Sequence, residues 1–261
     1  MHSQQEIKKI LDQKVRQYNK LDFIEKDPIC IPHQYTKQQD IEIAAFFAAI
    51  FAWGNRTTII NKSKELLALM DNSPYDFCLL HQPKDLKKIL GFAHRTFNDT
   101  DALYCIEFFK KHYTQHQSLE TAFFTDNAPQ KRILTVDAAL THFQTYFMSL
   151  EDAPKRTRKH VSSPMSGSTC KRLNMFLRWM VRKDKQAVDF GIWNSIQPAQ
   201  LIIPIDVHVA RVSRSMGILK RTQTDWQAAL ELTEYCRTLD AKDPVKYDFA
   251  LFSLGVIEHF T

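Results

Sequence analysis

The chain predicts an all-α fold. Six glycines and ten prolines are few for 261 residues, helix-period apolar spacing recurs along the whole length, and no stretch shows persuasive strand alternation. The 44% hydrophobic and 11% aromatic content is enough for a packed core, which excludes disorder as the main state. The length suits one all-helical unit over 1–261, or two lobes with the chemistry concentrated at about 155–221.

From Glu6 to Asp22, apolar residues at Ile7, Ile10, Leu11, Val15, Tyr18 and Leu21 keep to one helical face. Asp27-Pro28 to Pro32 is a break, and Thr36 to Trp53 reads as a buried helix closed by a Gly54-Asn55-Arg56 turn. Asn61 to Met70 is a further helix ending at Asp71-Asn72-Ser73-Pro74. Pro83–Leu90, Asp99–Tyr113, Ser118–Thr125 and Lys131–Leu150 follow as helices. The basic loop Lys155-Arg156-Thr157-Arg158-Lys159-His160 leads into Ser162 to Ser168, the strongest turn signal present. Helices are predicted again at Thr169–Arg182, Pro198–Leu201, Val207–Met216, Asp225–Thr238 and Pro244–Ile257.

Five separated cysteines with no C-x-x-C fit neither a disulfide framework nor a zinc ribbon, so a reducing cytoplasm is the simplest location. The apolar run Ile41–Trp53 is too short for a membrane span and carries Glu42. The first residues lack the order of a signal peptide. A soluble, cytoplasmic, monomeric protein with no membrane partner is expected.

The formal net charge is +6. Between Lys155 and Arg221, fourteen Lys and Arg face three acids, a local net of +11, while the remainder carries 21 basic and 26 acidic residues. Such a block is the electrostatic footprint of a polyanion such as nucleic acid, though a solvated face or a site for an acidic protein partner fits composition equally well.

Two elements within the block carry candidate chemistry. Gly167-Ser168-Thr169-Cys170-Lys171 opens a helix anchored by Leu173, Phe176, Leu177, Met180 and Val181. Lys171 falls in its first turn, where the helix dipole and neighbouring Arg172 both disfavour a protonated amine, a setting that suits a neutral nucleophile. Taken alone, Lys171 also fits an exposed lysine at a helix start. The second element is Ile202-Ile203-Pro204-Ile205-Asp206-Val207-His208-Val209-Ala210-Arg211-Val212-Ser213-Arg214. Its Asp206 stands directly before a helical pattern, at an N-cap position. Arg211 and Arg214 lie three apart on one face, placed for phosphate contact. Asp206 and His208 supply no third ligand, so no metal is expected. Cys170 reads as a small packed residue.

These two segments, Pro-x-x-Gly-Ser-x-Cys-Lys and Pro-Ile-Asp-Val-His-Val-x-Arg-Val-x-x-x-x-Gly-Ile-Leu, resemble the second half of the helix-hairpin-helix DNA glycosylase superfamily. The Cys-Lys-Arg-Leu-Asn and Asp-Val-His-Val-Ala-Arg pieces are closest to an uncharacterised bacterial domain-of-unknown-function family, over nearly the whole chain. By position, the resemblance implies Lys171 as catalytic lysine and Asp206 as catalytic aspartate. It also sets Phe51 to Arg56 in the place of the intercalating loop and Gly91-Phe92 at the start of a matching helix. The chain departs from the pattern in three respects. It has Gly167 with Ser166 and Ser168 in place of a Gly-x-Gly hairpin. Lys171 and Asp206 are 35 residues apart (206 − 171), a stretched connection similar to that of the archaeal oxoguanine glycosylases. It also lacks the C-terminal cysteine set of the iron-sulfur members, so no cofactor is expected.

The resemblance implies a helix-hairpin-helix glycosylase-like fold and a base-excision glycosylase, with AP lyase activity as an extension, acting on a nucleotide flipped from double-stranded DNA. Phosphate contacts would come from Lys155, Arg156, Arg158, Lys159, Gly167, Ser168, Arg172, Arg211 and Arg214. Base-pocket or wedge candidates are Trp53, Asn55, Arg56, Phe92, Trp179 and His208, with Trp179, between Arg178 and Met180, the least core-like aromatic. Two alternatives stand beside the enzyme: a non-catalytic binder of DNA or structured RNA, and an interaction module for an acidic protein.

Overall fold

Ser3 opens the first helix with a reciprocal capping box: its hydroxyl accepts from the Glu6 N–H while the Glu6 carboxylate accepts from the Ser3 N–H. The computed structural model describes residues 3–124, 135–258 and 260. The chain divides into a central unit, Lys26–Ser162, and a terminal unit formed by Met1–Glu25 with Ser163–Thr261. In chain order the helices are α1 (Gln4–Tyr18), α2 (Leu21–Ile24), α3 (Gln38–Phe51), α4 (Arg56–Leu69), α5 (Pro74–Leu80), α6 (Pro83–Leu86), α7 (Asp99–Gln115), α8 (Val136–Phe147), α9 (Lys171–Val181), α10 (Val207–Ser215), α11 (Trp226–Leu239) and α12 (Tyr247–Val256). The described residues are thus predominantly helical, as the sparse glycine and the 3.6-residue periodicity predict.

The central unit is built around α3, whose residues from Asp40 to Phe51 are all buried. A helix apolar on every side has to sit at the centre of its unit. Phe46 and Phe47 meet Phe109 of α7 edge-on, and Phe46 also packs on Phe143 and Phe147 of α8. Glu42, buried within this apolar helix, is satisfied by the Tyr113 hydroxyl, the Ser118 hydroxyl and the Leu119 N–H.

In the terminal unit, α12 packs on α1 and α10. Where α10 and α12 meet, a Cβ at Gly255 would stand 3.1 Å from His208 Cβ and 3.2 Å from Val212 Cγ2, so the absent side chain sets how closely the helices approach.

Several elements differ from expectation for local reasons. Pro74, read as a stop, is the first residue of α5, where its missing N–H costs nothing. The predicted helices at Ser118–Thr125 and Pro198–Leu201 are 3-10 turns, Leu119–Phe123 and Pro198–Gln200, and the basic loop is a 3-10 segment over Lys155–His160. Thr125 and the first residues of the predicted Lys131–Leu150 helix, 131–134, lie outside the described residues. A small hairpin pairs β1 (Ala93–His94) with β2 (Phe97–Asn98). Two-residue strands are too short to leave an alternation signal.

Candidate active site

Cys170 adopts a left-handed backbone, φ 50°, immediately before α9, and its side chain is buried. The turn ahead of it is tied by several hydrogen bonds. Gly167, at φ +73° with open space around its Cα, donates its N–H to Pro164 O, while its carbonyl accepts from Trp226 N. Ser168 Oγ accepts from Cys170 N. Thr169 Oγ1 accepts from Lys171 N, and the Thr169 carbonyl accepts from Asn174 Nδ2. Lys171 is therefore the first residue of a helix entered from a bonded, non-helical turn.

Asp206 caps α10. Its Oδ1 accepts from His208 N at 2.9 Å and Val209 N at 3.0 Å, while its Oδ2 lies 3.5 Å from Lys171 Nζ. One oxygen satisfies the helix and the other faces the amine. Two helix N-termini in the same unit thus bring an amine and a carboxylate to ion-pair distance, with side chains 24% and 20% exposed, accessible to a ligand yet shielded from bulk solvent. The segment leading into α9 and the first turn of α10 carry exposed large apolar side chains, Met165 at 83% and Val207 at 71%.

Beneath the pair, α9 is buried almost all round. Arg178 and Arg182 are enclosed by carboxylates. Arg178 pairs with Asp248 and with Asp189 at 3.3 Å, and Arg182 pairs with Asp189, Asp184 and Asp243 at 3.0, 2.7 and 3.0 Å. Burial pushes the Asp248 carboxyl up to about 6, with the Arg178 cation opposing, Asp206 adding, Lys171 opposing and Asp189 adding. Neither Arg178 nor Asp248 stands out by sequence. The one available signal is an aspartate inside the apolar run Tyr247 to Val256.

Trp179 corrects the sequence reading. It is 0% exposed and among the largest fully buried side chains, not a surface aromatic. The loop after α9 also folds back onto the end of that helix: Phe190 N donates to Trp179 O and Trp193 N to Met180 O. Phe92 is likewise buried, against Phe51 and Phe97 in the central unit, so neither ring is a base platform as folded.

The other predicted contacts divide between the units. Arg172 is largely sequestered; burial lowers its guanidinium, with Cys170 opposing. Arg211 is exposed, and its Nη2 donates to Gly255 O at the end of α12, while Arg214 ties Arg221 O and Thr224 Oγ1. His208 is exposed beside Asp206. Lys155, Arg156, Arg158, Lys159, Trp53, Asn55 and Arg56 belong to the central unit. There the four cations are exposed, and the 3-10 segment carrying them is pinned on Asp101 of α7: Thr157 Oγ1 donates to Oδ1 at 2.7 Å, and His160 Nε2 and Arg156 Nη2 lie 3.3 and 3.4 Å from Oδ2. Asn55 caps α4 by accepting from Thr58 N, and Arg56 donates to Lys26 O. The Arg95 guanidinium stacks 4.4 Å over the Trp53 ring, a partner with no sequence signal. Among the described residues, no group of three His, Cys, Asp or Glu is arranged to hold a metal ion, and no helix is long and apolar enough to cross a membrane.

The class so defined is a predominantly helical protein of two units with a lysine–aspartate pair at two helix N-termini. The chain belongs to the family described as Protein of unknown function (DUF2400), which matches residues 27–257. Searches of curated proteins and of solved structures find no match.

Proposed function

We propose that this protein is a DNA base-excision glycosylase with associated lyase chemistry, using Lys171 as nucleophile and Asp206 as its carboxylate partner. The observation that carries the reading is the 3.5 Å approach of Lys171 Nζ to Asp206 Oδ2, both partly exposed. A nucleotide is flipped out of the duplex to reach the pair. The Lys171 nitrogen bonds to the sugar C1′ as the C1′–N bond to the base breaks, and the base leaves with the bonding electrons and takes up a proton. Asp206 steadies the positive charge that develops on the sugar and accepts the proton lost by the amine. Ring opening then yields a Schiff base, and loss of its C2′ proton to a base forms the C2′–C3′ double bond as the 3′ phosphate departs with the C3′–O electrons. Met165 and Val207 offer apolar surface for sugar and base, and the helix N-termini favour the adjacent phosphates.

A second reading, nucleic-acid binding without catalysis, is favoured by the exposed 3-10 segment of Lys155, Arg156, Arg158 and Lys159, which needs neither Lys171 nor Asp206.

Borohydride trapping on a panel of damaged duplexes tests the enzyme. The expected result is a covalent adduct that Lys171→Ala abolishes, with adduct formation slowed about 10²-fold or more by Asp206→Asn. No adduct and no released base from the wild type on any duplex overturns it, and salt-dependent binding without trapping leaves the second reading.

A further inference from the structure

Asp248 is the second residue of α12, 6% exposed within a run of apolar neighbours. Its carboxylate accepts from Arg178 Nη1. Arg178 follows Lys171 on α9 by seven residues, about two turns, and so shares its face. One turn further on, Arg182 is held by Asp184, Asp189 and Asp243. Two buried guanidiniums therefore meet four carboxylates, and this side of α9 carries a surplus of negative charge.

The groups acting on Asp248 come from several directions. They are Arg178 and Lys171 on α9, Asp206 ahead of α10, and Asp189 in the loop after α9. On α11, the Cys236 thiol is pushed well up by its own burial and further by Asp248. On the α1 side, Lys8 and Asp12 engage the neighbouring Tyr247 hydroxyl. The Asp248 carboxyl thus does two things: it anchors the helix that presents Lys171, and it adds charge on the buried side of the Lys171–Asp206 pair.

We propose that Asp248 is a positioning residue of the Lys171–Asp206 site, holding α9 through Arg178 and restraining the Lys171 amine in its ion-paired resting state. This rests on Lys171 being the reactive amine of the proposed function. When Asp248 is ionised, its charge holds Arg178 and acts with Asp206 to restrain the Lys171 side chain in its ion pair. When it is protonated, or replaced by an amide, that restraint weakens.

The test needs no nucleic acid. Folded protein is treated with propionaldehyde and cyanoborohydride, and alkylation of Lys171 is compared by peptide mass spectrometry with that of exposed Lys220 in the same sample; Lys171→Arg identifies the peptide. Asp248→Asn is expected to raise the Lys171/Lys220 labelling ratio at pH 7.5 by about threefold or more, the scale of one unit charge removed across a screened interior. Asp248→Glu, which keeps the charge, should restore the wild-type ratio. An unchanged ratio in folded Asp248→Asn overturns the proposal.

Should Asp248→Asn fail to fold because Arg178 loses its partner, the wild type decides. Its Lys171/Lys220 ratio is expected to fall as the pH rises through about 6, where Asp248 gives up its proton, and a flat ratio overturns the proposal. A changed ratio without borohydride trapping on any duplex retires the glycosylase reading alone. Trapping with an unchanged ratio retires the role of Asp248 alone.

Discussion

Cys170 and Trp179 lie on either side of what a chain reveals residue by residue. A non-glycine residue at φ 50° stores strain of order 1–3 kcal/mol, and here that strain immediately precedes the residue singled out for chemistry. The chemical types of Lys171 and Asp206, and the capping role of Asp206, are legible because a helix start leaves a local mark. Trp179 misleads because its neighbours Arg178 and Met180 suggest a polar flank, yet Arg178 is buried by its carboxylate partners. Trp179→Ala should therefore cost about 3–5 kcal/mol of stability in denaturant unfolding. Trp53→Ala, which removes a partly buried ring with one cation–π interaction and an edge contact to His94, should cost less, about 1–2 kcal/mol. Equal losses would mean that Trp179 is not the core residue it is taken to be.

Among the elements, the long periodic helices are the best read from sequence and the short turns the worst. The Lys155–His160 segment looks like a loop because nothing local marks its anchor, Asp101, which lies 56 residues from Thr157. Burial alone would raise the Asp101 carboxyl, but bonds from His160, Thr157 and the Asn98 N–H outweigh it and hold the group below the usual carboxylate range. The stabilisation from Asp101 is therefore present above its unfolded value of about 4 and is lost as the pH falls through the lower folded value. The protection factors for amide exchange over 155–160, taken against the intrinsic rate at each pH, should fall as Asp101 is protonated in the wild type and be low already at neutral pH in Asp101→Ala. Unchanged protection in that variant would show that the basic segment is held by other contacts.

Across the whole molecule, the net charge of +6 is distributed differently from what a linear count suggests. The +11 block runs through both units, Lys155 to Ser162 in the central one and the rest in the terminal one. Arg178 and Arg182 are neutralised internally, and Arg221 pairs with Asp225. On the proposed function, nucleic-acid binding should accordingly weaken with salt less steeply than fourteen cations would give. Lys155→Glu with Lys159→Glu should reduce the log–log slope by roughly one for each phosphate that is no longer neutralised. Arg182→Gln should leave the slope alone while destabilising the fold by about 3 kcal/mol or more. A slope that falls as much in Arg182→Gln as in the lysine variants would return that arginine to the surface.

The order of residues settles helix class, the strong turn before α9, the cap at Asp206 and the identity of the amine and carboxylate, because each is written within a few residues of backbone periodicity. It does not settle which charges are interior. Arg178 meets Asp248 across 70 residues and Arg182 meets Asp243 across 61, and these distant partners join the nearer Asp184 and Asp189 in offsetting the cost of burying a guanidinium. Folding also brings Lys171 to 3.5 Å from Asp206 and buries Asp248 against Arg178 on the same helix as Lys171, so two residues 35 positions apart in the chain become an ion pair with a buried third carboxyl behind it.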